Sequence, residues 1–166
     1  AAGVVLWRGA HPTATQLASG GTLALLTVEV RQGKQLHGVL GGKHGPGDRN
    51  AAATAARKAR EVTGGALSDA TYDDVLALRD AAFAVSPLSG AYRLALAPAD
   101  PADHDIETRF SEMRRPLASS TSHVGLRWVD FHSELRHRAW REANMHVHAG
   151  AAVGALMRKL GIAESG

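Results

Sequence analysis

Cysteine is absent from this chain, which removes disulfides, zinc ribbons and thiol nucleophiles and leaves the redox compartment unmarked. Aromatic residues are scarce, 5% of 166, so alanine and aliphatic residues must supply most of any core. Neither sign of charge dominates. The 19 Lys and Arg exceed the 16 Asp and Glu by a net +3, too little to argue for nucleic acid by itself. Long hydrophobic runs are missing too: "TLALLTVEV" and "GAAVGALM" fall far short of a membrane span. No basic stretch followed by an apolar one opens the chain, so no signal peptide is expected. The first residue is Ala1 and not Met, which reads as processing, truncation or a domain cut from a longer protein. The Gly-Lys-Ser/Thr signature of a P-loop is also lacking. These absences point to a soluble protein, intracellular or organellar, and the length suits one domain over 1–166.

What is present alternates in type. "GVVLW" (3–7) reads as a strand, and "TLALLTVEVRQ" (22–32) with "QLHGVLGG" (35–42) as a hairpin. A Gly/Pro loop follows, then Asn50 as an N-cap before "AAATAARKAREVT", a strong helix former stopped by Gly64-Gly65. Residues 73–86 fit helix and strand equally. Strands are expected over 90–99 and 124–131, separated by a long polar loop with one helical turn. Helices are expected over 132–144 and 146–161, the latter with Val147, Ala151, Val153, Leu156, Met157 and Leu160 as its apolar face. The fold class is therefore α/β.

The stretch "GGKHGPGDRNAAATAARKAREVTGG" (41–65) resembles the Nudix box. That family's pattern is Gly, five residues, Glu, seven residues, then Arg-Glu-U-X-Glu-Glu-X-Gly-U, where U is bulky and aliphatic. Gly42 is followed by five residues and Asp48, Arg57 aligns with the family arginine, and Gly64 with the closing glycine. Eight residues separate Asp48 from Arg57, one more than the pattern has. The hairpin before the box, the strand after it and "LRWVDFHSEL" extend the resemblance over most of the chain. It implies a Nudix-like α/β/α sandwich with a mixed sheet.

In that family Mg²⁺ or Mn²⁺ is held by glutamates of the box helix and serves hydrolysis of a diphosphate. Helix positions i, i+3 and i+4 share a face, so three acids there converge on a hard cation. Here the corresponding residues are Lys58, Glu61 and Val62, a single carboxylate. Lys58, one turn before Glu61, is placed to pair with it. Shifting the register by one residue puts Ala56-Arg57 and Arg60-Glu61 in those places, and still one acid survives. A replacement acid would have to come from Asp100, Asp103, Asp105, Glu107 or Glu112, which otherwise read as a solvated loop balanced by Arg109, Arg114 and Arg115.

The leading expectation is a Nudix-like domain with a degenerate metal site, acting as a non-catalytic structural or interaction subunit or as a binder of a nucleotide-like ligand. No cofactor is then needed. Gly42, Lys43, Asp48, Arg57, Lys58 and Glu61 face the ligand, with Asp48 and Arg57 ion-paired to close the loop. The glycines of "LGGKHGPGDR", with Lys43 and Arg49, suit a phosphate at a helix N-terminus. The alternative is an active Mg²⁺- or Mn²⁺-dependent hydrolase of nucleoside diphosphate-linked substrates, with Asp48 and Glu61 as metal ligands. A third reading is RNA binding through Arg136, Arg138 and Arg141 around Trp140. Nine histidines invite a metal, but His146 and His148 stand two apart and would diverge on a helix, and His132 and His137 add no third ligand at suitable spacing. "STS" at 120–122 with His123 is not a nucleophile motif by itself.

Overall fold

The structure is a computed structural model that describes residues 1–88, 90–114 and 124–165. It is a mixed α/β protein built on one seven-stranded sheet. The strands are β1 (Ala2–Gly9), β2 (Thr22–Arg31), β3 (Lys34–Gly38), β4 (Leu40–Gly42), β5 (Ala84–Val85), β6 (Arg93–Pro98) and β7 (Val124–Asp130). β1 runs parallel to β6 and antiparallel to β2, while β7 pairs with β2.

The hairpin read at 22–42 is present, with one change that matters for the site. Its return strand breaks at Val39 because β1 and β2 pair only through Leu6–Gly9 and Thr22–Leu25, then part. β3 continues along β2, and β4 crosses to β1, pairing Ala2 with Gly42 and Gly3 with Gly41. This fork aims Gly41-Gly42 at the loop that follows. Glycine is required at the crossing: a Cβ on Gly41 would lie 2.7 Å from both the Ala2 carbonyl oxygen and the Gly3 Cα.

Alternation along the strands sorts side chains onto two faces. Val4, Leu6, Leu25, Ala95 and Ala97 point to one, where they meet Ala52, Ala55, Ala56 and Ala59 of α1 (Ala51–Val62) and Val75 of α2 (Asp69–Leu76). Val5, Ala24, Leu26, Leu94 and Val129 point to the other, against Val153, Leu156 and Met157 of α5 (Val147–Leu160). Helices thus cover both faces. The alanines let α1 lie close to the sheet, which suits a chain poor in aromatics.

The ambiguous 73–86 segment divides into the end of α2, a short 3₁₀ turn and β5. Part of the polar loop after β6 is a helix, α3 (Ile106–Arg114), because Ile106 and Phe110 are one turn apart and buried. Residues 115–123, which include Arg115 and the 120–123 stretch, lie outside the described residues. The helix expected over 132–144 begins as a wide turn over Phe131–Leu135, in which the Arg136 N–H reaches the Phe131 carbonyl, and continues as α4 (Arg138–Asn144). On α5, Val153, Leu156 and Met157 are buried as expected, but Val147 is 74% exposed. It is the first residue of the helix, where the turn is not yet held against the sheet.

Candidate functional site: the 42–61 loop-helix

Asn50 caps α1 by accepting from the Ala53 N–H, which fixes where the loop ends and the helix begins. From there Thr54, Arg57, Lys58 and Glu61 follow at helical spacing along the face turned to the loop. Asp48 is the hub. Its carboxylate accepts from the Gly45 N–H at 2.7 Å, from Thr54 Oγ1 at 2.9 Å and from Arg57 through Nε at 3.0 Å and Nη2 at 2.7 Å. Arg57 also donates from Nη2 to the Lys43 carbonyl at 2.9 Å, tying both sides of the loop to one guanidinium. The Asp48–Arg57 pair expected from the sequence is therefore the loop's main closure.

Glu61 is held from two sides. Arg57 Nη1 donates to its Oε1 at 3.0 Å, and Lys58 Nζ lies 3.1 Å from its Oε2. Lys58 reaches that position by laying its stem over Gly42, where a Cβ would stand 2.7 Å from the lysine Cε. Arg57, foremost by its hydrogen bonds, holds Asp48 well below the usual carboxylate range; Lys58 first and Arg57 second lower Glu61. The same contacts with Asp48 and Glu61 raise Arg57.

Both carboxylates are ionised and both already face fixed cations. A divalent ion at Glu61 would meet an ammonium beside one oxygen and a guanidinium beside the other. This donor set does not fit Mg²⁺ or Mn²⁺, which require several free oxygen ligands. Among the described residues no group of three or more His, Asp or Glu is arranged to hold a metal ion.

The acids of residues 100–105 are engaged elsewhere. Asp100 caps the turn at Ala102, Asp105 pairs with Arg109, and Asp103 is fully buried. Asp103 accepts from Ser68 Oγ at 2.6 Å, from Thr71 Oγ1, and from Arg109 Nη2 at 2.8 Å. Burial alone would push its carboxyl up, but these donors together hold it below the ordinary range. It is a structural anchor between the α1–α2 connection and the turn before α3, not the solvated acid that the sequence suggests.

Two residues of the loop escaped sequence reasoning. Thr54 Oγ1 has a single proton, given to Asp48, so its 2.9 Å contact with His44 Nδ1 requires the imidazole to donate. A hydrogen-bonded chain thus runs from His44 through Thr54 and Asp48 to Arg57. The signal for Thr54 was its place three residues before Arg57 on the same helical face.

Arg57, which both registers include, is the arginine that reaches the loop. Arg60 turns away to pair with Asp69 and stack 3.6 Å from the Tyr72 ring centroid. The three arginines near Trp140 are not gathered into one exposed face. Arg136 Nε donates to the His132 carbonyl, Arg138 pairs with Glu142, and Arg141 is only 5% exposed, donating to the Leu135 carbonyl and pairing with Glu164. No described helix is long and apolar enough to cross a membrane. Comparison with protein-family models, curated proteins and solved structures gave no match.

Proposed function

We propose that this chain is a Nudix-like domain in which fixed cations occupy the place of the metal, and that it binds a nucleotide-like phosphate ligand without hydrolysing it. The observation that carries the reading is the arrangement around Glu61: Arg57 on one carboxylate oxygen and Lys58 on the other. Arg57 also neutralises Asp48, so the two acids best placed to bind a metal are spent within the protein.

Lys43 and Arg49 supply the ligand contacts. Both are exposed on the loop, and among the described residues neither takes part in an ion pair. Phosphate oxygens are met by these two side chains over a loop whose shape Asp48 and Arg57 hold rigid. RNA binding draws less support, because burial and internal pairing occupy Arg141 and Arg138.

Calorimetric titration with ADP tests the proposal. Binding at least as tight in EDTA as in Mg²⁺, weakened by salt and by Lys43→Ala, is the expected result. Binding that appears only with Mg²⁺ or Mn²⁺ contradicts it.

A further inference from the structure

A second site lies away from the loop-helix, between α4, α5 and the turn after β5. This cleft has a volume of about 380 Å³. One wall is apolar, with Pro87, Leu88, Val147 and Ala151, and both Leu88 (53%) and Val147 (74%) are unusually exposed for their type. Gly150 and Gly154 leave the α5 side bare: a Cβ on Gly154 would come within 3.4 Å of both Arg141 Nη2 and Glu164 Oε1. The opposite side is cationic. Arg141, Arg158 and Arg138 line it with Glu142 and Glu164, three guanidiniums against two carboxylates.

Arg141 makes this more than a charged surface. It is 95% withdrawn from solvent, yet one edge of its guanidinium remains at the cleft. Nη1 is fixed by the Leu135 carbonyl at 2.9 Å and the Met157 sulfur at 3.5 Å. Nη2 lies 3.1 Å from a carboxylate oxygen of Glu164 and Arg158 Nη1 lies 3.6 Å from that same oxygen, which is buried and receives no hydrogen bond of good geometry from the described residues. Glu164 reaches in from the irregular segment after α5, which is held by the Arg138 N–H to Ser165 carbonyl bond and by Ser165 Oγ on His137 Nδ1. A buried guanidinium, a second one beside it and an adjoining apolar wall form a receptor for a carboxylate with a hydrocarbon body. Glu164 now supplies the carboxylate and leaves the wall uncovered.

We infer that the cleft between α4 and α5 is a binding site for a small aliphatic carboxylate, and that Glu164 is its displaceable internal occupant. The ligand carboxylate takes the place of the Glu164 oxygen between Arg141 and Arg158, and its chain lies along Leu88, Val147 and Ala151. The site is independent of the phosphate-binding proposal for the loop-helix and stands or falls separately.

Glu164→Gln tests it, with hexanoate, hexanol and inorganic phosphate as probes and binding followed by calorimetry and thermal unfolding. The variant loses the carboxylate that faces a buried arginine, so it melts lower than the wild type, and hexanoate restores the melting temperature. Hexanoate binds the variant at least about tenfold tighter than the wild type, with up to about fourfold lost for each methylene removed from the probe. Equal binding to both proteins, equal binding of hexanol, or phosphate binding as tight as hexanoate overturns the inference. If Glu164→Gln does not fold, the wild type compared with Arg158→Gln decides, since the Arg158 side chain is 60% exposed and its replacement is expected to leave the fold intact. Weaker hexanoate binding in Arg158→Gln supports the site; no binding to the wild type, or no difference, rejects it.

Discussion

Replacing Asp103 with alanine probes how firmly the helices around the candidate site are anchored. Asp103 has no solvent exposure and receives the Ser68 N–H, the Ser68 hydroxyl and the Thr71 hydroxyl. A hydrogen bond to a charged group contributes about 1.5–3 kcal/mol, and three of them would sum to more than any single substitution usually costs. Part of that sum is recovered, because the Ser68 hydroxyl also lies 3.3 Å from Thr71 Oγ1 and can donate to it instead. The Arg109 pair adds little, since its side chain is 36% exposed and water screens the interaction. A loss of about 3–5 kcal/mol follows, carried by the hydrogen bonds to the buried carboxylate and at the upper end of what single substitutions cost. Against a total stability of about 5–15 kcal/mol, that is a large fraction.

The pH dependence has a definite sign. The folded carboxyl of Asp103 is lowered, so its contribution is complete above the unfolded value near about 3.9 and is lost as pH falls through the folded value. Urea unfolding of wild type and Asp103→Ala should therefore give a constant gap from about pH 5 to 8 that narrows below about pH 4. A gap under about 1 kcal/mol at neutral pH, or one that does not narrow in acid, refutes the reasoning.

Two further substitutions test the loop and its support. Gly41→Ala forces a methyl against the Ala2 carbonyl and the Gly3 Cα, and it should cost about 1–3 kcal/mol in urea unfolding; a neutral result would mean that the β1–β4 crossing yields easily. Lys58→Glu removes the ammonium from Glu61 and adds a carboxylate one turn away, so Mn²⁺ followed by electron paramagnetic resonance should bind roughly tenfold tighter than to the wild type. Equal affinity would show that Lys58 does not guard the position.

The architecture was legible where local pattern and burial agree. The long apolar run with β-branched residues at 22–32 marked a buried strand, and Asn50 with the glycines at 64–65 set both ends of α1. The pairing of Asp48 with Arg57 and of Lys58 with Glu61 was legible too, because loop closure and helical spacing determine it. Tertiary facts were not. Nothing local distinguishes Asp103 from its acidic neighbours, since its burial depends on Ser68 and Thr71, more than thirty residues away. Arg141 looks like Arg138 in sequence, yet one faces the core and the other solvent, because Met157 and the Leu135 carbonyl receive only the first. The break at Val39 arises from two other strands separating, which no single segment encodes.

The central claim is that Arg57 and Lys58 occupy the carboxylates a hydrolytic metal would need. It is tested most directly by assaying the wild-type chain for Mg²⁺- or Mn²⁺-dependent release of phosphate or nucleoside monophosphate from a panel of nucleoside diphosphate-linked compounds, alongside Glu61→Gln. No turnover above the metal-only background is expected for either protein. Turnover by the wild type that Glu61→Gln abolishes would contradict it.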